Sequence, residues 1–233
     1  MSDGFPNKPK ILRGAFVEYG LSLPPLFVVF QFNPIQLTRN RSLTYTAPSG
    51  QGTTDRSLRA LHLREFKDKD DLLAIQKLQQ VTIQEESIGF EIRLDATDKL
   101  NDGDTITEQF GIAPQLSTLE LMVHPKGESL IGQALGALLG SPGGFSFTKG
   151  ANPPLILFIW GRKRVLPVNI NSLNITETQY STDLNPIRAT ATVGLTVIEG
   201  KSTAYMYSKA MKEAMSVLNL ANIADIADVV IPG

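Results

Sequence analysis

Apolar and polar residues alternate with a period of two in several separate stretches of this chain, and those stretches predict a mainly β protein. In residues 88–94, Ile88, Phe90, Ile92 and Leu94 share one parity while Glu91 and Arg93 take the other, which predicts a half-buried strand. Residues 187–197 are the most regular: Ile187, Ala189, Ala191, Val193, Leu195 and Val197 lie on one face, Arg188, Thr190, Thr192 and Thr196 on the other. The small alanines on the apolar face imply a crowded interior. In residues 165–178 the apolar parity switches, from Val168 and Ile170 to Leu173 and Ile175, so a β-bulge or sharp bend is expected near Ser172. Trp160-Gly161-Arg162-Lys163-Arg164 joins two strands as a hairpin with a basic tip. Upstream, residues 11–19 open the first strand. Residues 26–32, rich in Val and Phe and closed by Asn33-Pro34, read as a buried strand ending in a turn. Residues 37–45 also alternate, but Arg39 and Arg41 fall on the parity of Leu37, Leu43 and Tyr45. Two arginines on an otherwise apolar face suggest a subunit interface.

Helical spacing is confined to a few segments. Residues 68–80 offer aspartate caps followed by Leu72, Leu73, Ile75 and Leu78. Pro114 suits a first helical turn, Leu116, Leu119 and Val123 recur at helical spacing, and Pro125 stops the element. Residues 129–144 place Gly132, Gly136 and Gly140 opposite Leu135 and Leu139, a short helix with one smooth face. Residues 46–54 form a loop rich in Gly and Pro. From Ser202 the pattern changes: Tyr207, Met211, Met215 and Leu218 mark one helical face, and Ile223, Ala227 and Val230 a second short helix. The organisation read from this is an N-terminal arm over residues 1–10, a β domain over 11–199 and a C-terminal helical docking tail over 200–233.

Composition narrows the chemistry. The 22 Lys and Arg residues nearly balance 23 Asp and Glu, leaving a net charge of -1 and no long-range field for gathering phosphates. Nucleic acid is not an expected partner. There is no cysteine, which removes disulfides, thiol nucleophiles and thiolate metal sites. Residues 1–20 lack the apolar run of a cleaved signal, and no stretch approaches the roughly 20 apolar residues that span a bilayer. A soluble protein without membrane insertion is expected. His62 and His124 form no metal-binding pair, and no G-x-S-x-G elbow is present, so no catalytic, cofactor or metal residues are assigned. The acidic run Asp95, Asp98, Asp102 and Asp104 fails the EF-hand pattern, since Leu100 and Gln109 would stand where oxygen ligands belong; it reads first as a solvated turn and second as an ion site. The basic tip of Arg162, Lys163 and Arg164 reads first as an exposed hairpin, then as a contact to an acidic neighbouring subunit, and last as a phosphate grip.

Three stretches taken together resemble the tube-domain family of contractile injection systems, the bacterial relatives of phage tails. The first is Phe30-Gln31-Phe32-Asn33-Pro34 followed by Leu37-Thr38-Arg39-Asn40-Arg41-Ser42; the second is Gly89-Phe90-Glu91-Ile92-Arg93-Leu94-Asp95-Ala96-Thr97-Asp98. The third runs from Pro153-Pro154-Leu155-Ile156-Leu157-Phe158-Ile159-Trp160-Gly161 through Val165-Leu166-Pro167-Val168 and Ile175-Thr176-Glu177-Thr178 to Leu184-Asn185-Pro186-Ile187-Arg188-Ala189. Their order and spacing cover residues 11–199. The resemblance implies an antiparallel β-barrel or sandwich of phage tail-tube type with a packed helix, six copies closing a ring, and ring-shaped partners. Those partners are the inner tube protein, the spike hub, and baseplate or sheath proteins. It implies assembly in the bacterial cytoplasm and, within the family, the tube initiator or adaptor class, although no peptidoglycan-type lysin motif follows Gly200. Other readings are an inner-tube shaft or terminator subunit, and an unrelated β-barrel enzyme or binding module marked by a pocket with convergent polar groups. The candidate subunit-interface residues are Arg39, Arg41, Arg162, Lys163, Arg164, Tyr207, Met211, Met215 and Leu218.

Overall fold

The computed structural model describes residues 12–20, 25–48, 57–65, 72–125 and 152–221. The arm over residues 1–10, the glycine-leucine segment 129–144 and the second tail helix expected after Ile223 lie outside them. The chain divides into two compact units, Met1–Thr38 with Ile88–Gly233, and Arg39–Ser87.

The first unit is built on one sheet. Its strands are β1 (Ala15–Glu18), β2 (Phe27–Val29), β3 (Leu37–Asn40, which runs into the second unit), β6 (Ser87–Asp95), β7 (Ile156–Trp160), β8 (Arg164–Tyr180) and β9 (Pro186–Val197), in the order β2-β1-β7-β8-β9-β6-β3. The sheet is antiparallel and curls into a half-barrel, with β2 and β3 left as its two edges. The mainly β, antiparallel expectation therefore holds in its coarser form.

Every second residue of β6 and β9 turns inward. Ile88, Phe90, Ile92 and Leu94, and Ala189, Ala191, Val193, Leu195 and Val197, are all buried. They meet an aromatic cluster of Phe16, Phe30, Phe90 and Phe158, with Phe16 and Phe30 edge to face at 5.2 Å and Phe158 stacked on Trp160 at 6.0 Å. Gly14 makes this packing possible: a Cβ there would stand 2.6 Å from the Phe30 ring. The parity switch expected near Ser172 is present. Ile170 pairs with Leu195 and Ser172 with Gly194, so Asn171 is the extra residue of a bulge.

Three short helices close the open end of the core. They are α3 (Thr97–Asn101), α4 (Thr105–Phe110) and α5 (Ala113–Leu121), where α5 buries Leu116 and Leu119. At its end Met122, 1% exposed, takes the inward place expected of Val123. The acidic run read as a turn is thus a pair of helices with its carboxylates at their ends: Asp98 in the first turn of α3, Asp102 as its C-cap, and Asp104 as the N-cap of α4. Gly111 ends α4 at φ 57, and Ile112 donates its N–H to Pro186 O at 2.9 Å. A Cβ on Gly111 would lie 2.0 Å from that same carbonyl oxygen.

The C-terminal helix α6 (Thr203–Leu218) opens with a Ser202 cap on the Tyr205 N–H and packs on β8. Its only fully buried residue among those described is Ser208, 1% exposed. β9 pairs no further than Val197 with Val168, after which Ile198 donates once to Pro167 O at 2.8 Å. Among the described residues no strand pairs with that side of β8 beyond this point, and Pro167, without an N–H, returns no bond to Ile198. Ser208 fills the vacancy at Val165. Its hydroxyl accepts from Val165 N at 2.8 Å and donates to Val165 O at 2.7 Å, doing for one residue what a strand would do.

The second unit holds α1 (Leu58–Glu65), α2 (Leu72–Leu78) and a ribbon of β4 (Leu43–Thr46) with β5 (Gln80–Ile83). Only α2 was legible as a helix, and of its apolar residues Ile75 is buried while Leu72 and Leu73 stay exposed. In the ribbon Leu43 faces Ile83 and Tyr45 faces Val81, so four apolar side chains share one face. All four are 44–59% exposed.

The close approach at Gly111 sets a first test. Gly111→Ala combines a positive φ with a clash against backbone and should lower unfolding free energy by roughly 3 kcal/mol or more. Gly161→Ala, at φ 64 but with nothing near its Cβ, should cost only about 1 kcal/mol. Denaturant titration of both variants checks the contrast.

Candidate functional site

Residues from each of the three stretches that carry the family resemblance, far apart in sequence, meet at one point. Asp95 is the meeting point. Gln31, just after β2, brackets its backbone: Nε2 donates to Asp95 O at 2.7 Å and Oε1 accepts from Asp95 N at 2.9 Å. Arg188 of β9 donates from Nε to Asp95 Oδ2 at 2.6 Å and from its terminal nitrogen to Thr97 Oγ1 at 3.3 Å. Thr97 N donates to the other carboxylate oxygen at 2.8 Å. Nearby, Asn33 accepts from Gly14 N and donates to Leu12 O, and Asn185 donates to Gln109 O at 2.7 Å. The polar letters of the three stretches are therefore structural ties between strand ends. Partial burial alone would raise the Asp95 carboxyl; the hydrogen bonds from Thr97 and the Arg188 guanidinium outweigh it and hold the carboxyl below the usual range.

Beside this knot lies an open groove of about 1000 Å³, on the face of β9 and β6 that carries Arg188, Thr190, Thr192, Glu91 and Arg93, with Phe32 and Ile35 at its rim. Its charges answer one another: Arg93 pairs with Glu91 at 3.0 Å, as Arg188 does with Asp95. Among the described residues no group of three or more His, Cys, Asp or Glu stands together as a metal cage. His124 donates from Nδ1 to Glu120 O at 2.7 Å at the end of α5, and His62 bonds Gln79 at 2.8 Å, so both rings are occupied locally.

The structure gives Arg39 and Arg41 a partner within their own unit. Both guanidiniums close on Glu86, whose side chain is 3% exposed, with Arg41 at 3.3 Å. The two legs of the ribbon are joined again just beyond, where Gln84 N donates to Ser42 O at 2.9 Å. Sequence reasoning missed Glu86, although two carboxylates before a half-buried strand were a usable signal.

Arg162 and Lys163 are exposed at the β7–β8 hairpin tip, and Arg164 is half-buried where β8 begins. α6 holds the tip: Tyr207 donates its hydroxyl to Arg162 O at 2.7 Å, and Lys163 Nζ stands 3.4 Å from Met215 Sδ. Met211 is half-buried, while Tyr207, Met215 and Leu218 are 46%, 37% and 64% exposed. At the far end of β8, the turn to β9 contains Leu184 at φ 62, 79% exposed. A bulky residue in that conformation costs roughly 1–2 kcal/mol, and no sequence pattern announces it.

No known protein family matches the chain, and no curated protein matches it. Among the described residues no helix is long and apolar enough to cross a membrane.

Two outcomes follow from the ion pairs. Replacing Arg39 and Arg41 together by Ala removes both ion pairs of the buried Glu86 carboxylate, so the second unit itself should lose on the order of 2 kcal/mol, less than for a fully buried pair because each arginine is a third exposed. Hydrogen exchange in Arg39–Ser87 reads this, and a Glu86→Gln background should recover part of the loss. The second concerns acid. Because the folded Asp95 carboxyl titrates below its unfolded value, its stabilisation is complete above the usual carboxylate range and disappears as pH falls through the depressed value. Asp95→Asn should be less stable than wild type near neutrality and approach it in strong acid, as followed by thermal melts across that range.

Proposed function

We propose that this chain is a structural, non-enzymatic ring subunit of a contractile injection system, joining the inner tube to the spike hub or baseplate as a tube initiator or adaptor. The observation that carries the reading is the open edge at β2. Phe30 N donates to Gly14 O and Glu18 N to Leu26 O, and Phe16 pairs with Val28, so the alternation turns the Val28 backbone toward β1 and those of Phe27 and Val29 outward. The side chains of Phe27 and Val29 are 60% and 52% exposed. Among the described residues β2 pairs with β1 alone. An uncharged, apolar edge of this kind is a template for another strand, and proteins that remain single block such edges.

The convergence of the resembling stretches on Asp95 supports the same reading, because residues shared with a family for structural reasons would sit in ties of this kind. The exposed apolar face of the β4–β5 ribbon supports it too. An isolated two-stranded ribbon is marginal in water, and Leu43, Tyr45, Val81 and Ile83 offer a neighbour what the chain itself leaves uncovered. Six copies closing one annulus, with the inner tube protein, spike hub and baseplate or sheath proteins above and below, is the arrangement proposed, assembled in the bacterial cytoplasm.

Phe27→Lys with Val29→Lys places two charges on the open edge without touching the buried Val28. The pair should leave far-ultraviolet circular dichroism unchanged and convert the oligomer to monomer in sedimentation velocity. An oligomer of unaltered mass would overturn the edge as the ring contact.

A further inference from the structure

The C-terminal helix meets the sheet with its polar side. On α6, Ser208 is bound to Val165, and Tyr205, one turn earlier, packs against the core and donates its hydroxyl to Glu199 Oε2 at 3.2 Å. At helical spacing the apolar residues fall elsewhere. Met206, Tyr207, Ala210, Ala214, Val217 and Leu218 lie on the side turned away from Tyr205 and Ser208. All six are exposed, Val217 and Leu218 at 63% and 64%, and so is every residue from Lys212 to Ala221. An amphipathic helix ordinarily buries the face that this one presents to solvent.

One border of that face is basic. The β7–β8 tip lies along it, through the Tyr207 hydroxyl on Arg162 O and through Lys163 beside Met215. The tip and residues 199–221 together hold Arg162, Lys163, Arg164, Lys201, Lys209 and Lys212 against two acids, Glu199 and Glu213. Glu199 is engaged by Tyr205, and helical spacing puts Glu213 on the border away from the tip. Residues 222–233 are the complement in sequence. Ile223, Ala227 and Val230 recur at helical spacing, and the segment's only charged side chains are Asp225 and Asp228. Asn222 stands at the junction; after glycine, asparagine best suits the left-handed residue that ends a helix.

We infer that residues 222–233 fold back along α6 and cover its outward apolar face, with Asp225 and Asp228 toward the Arg162-Lys163 tip. Three arguments select this occupant. The segment starts where α6 runs out, so its local concentration is on the order of millimolar. Its charges are opposite in sign to those of the tip. As a helix, residues 222–231 would span about 15 Å, close to the roughly 18 Å of the face from Met206 to Leu218. The fold-back makes α6 a masked surface, whose release would offer apolar area to another chain. It is independent of the ring contact proposed at β2.

The chain has no cysteine, so introduced pairs report the contact directly. Ala214→Cys with Val230→Cys, in the full chain at low concentration, should close a disulfide within one molecule under mild oxidation. Lys209→Cys, off the apolar face, with Val230→Cys should close roughly tenfold more slowly. Asp225→Lys with Asp228→Lys should slow the Ala214 link several-fold and raise the binding of an apolar dye, and adding Arg162→Glu with Lys163→Glu should reverse both changes. Far-ultraviolet circular dichroism, expected to match wild type throughout, separates loss of the contact from loss of the fold. Equal rates from Ala214→Cys and Lys209→Cys, disulfides formed only between copies, or no recovery in the fourfold variant would overturn the inference. Because the link forms inside one molecule, its rate should be the same in monomer and oligomer, so this contact and the ring reading fail separately.

Discussion

Asp95 is where the first unit is tied together. Its peptide is bracketed by Gln31 from the end of β2, and its carboxylate is gripped by Arg188 at the start of β9 and by Thr97 at the start of α3. A curled sheet with two open edges has no closing ladder to fix where its strand ends lie. Side-chain ties must do this, and charge-assisted bonds in a partly shielded setting are the strong ones. The groove and the helices α3 to α5 begin from that point.

The same fold leaves apolar surface uncovered in an ordered way. Exposed residues cluster on the β2 edge, along one face of the β4–β5 ribbon and at both ends of β8, and polar residues separate the clusters. Scattered apolar exposure is ordinary in proteins; four apolar side chains exposed together on one face of a ribbon are less so. In the groove beside Asp95 the charged pairs satisfy one another.

Much of the fold was legible because strand periodicity survives wherever one face is buried. β6 and β9 follow their predicted parities residue for residue, and the bulge at Asn171 was readable as a change of phase. The acidic stretch 95–104 was read as a turn because Asp, Asn and Gly serve turns and helix caps alike, and only the bonds of Asp104 to Thr107 distinguish the two. The second unit was least legible. Its strands are exposed on both faces, so β5 beyond Gln80 carried no readable pattern and Arg39 and Arg41 were assigned to a neighbour when Glu86 was the nearer partner. On α6 the expected stripe through Tyr207 was displaced by about one residue, because the position that docks is a serine chosen for its hydroxyl.

That serine has a mechanical consequence. Through it the C-terminal helix is fastened to one residue of β8 by two opposed hydrogen bonds, and the Tyr207 hydroxyl, the thioether of Met215 and Tyr205 packed against the core add to its grip. Tension applied at the C-terminal end of α6 would reach these attachments before it reached the ladder between β8 and β9. The helix is therefore a tether that yields before the sheet does.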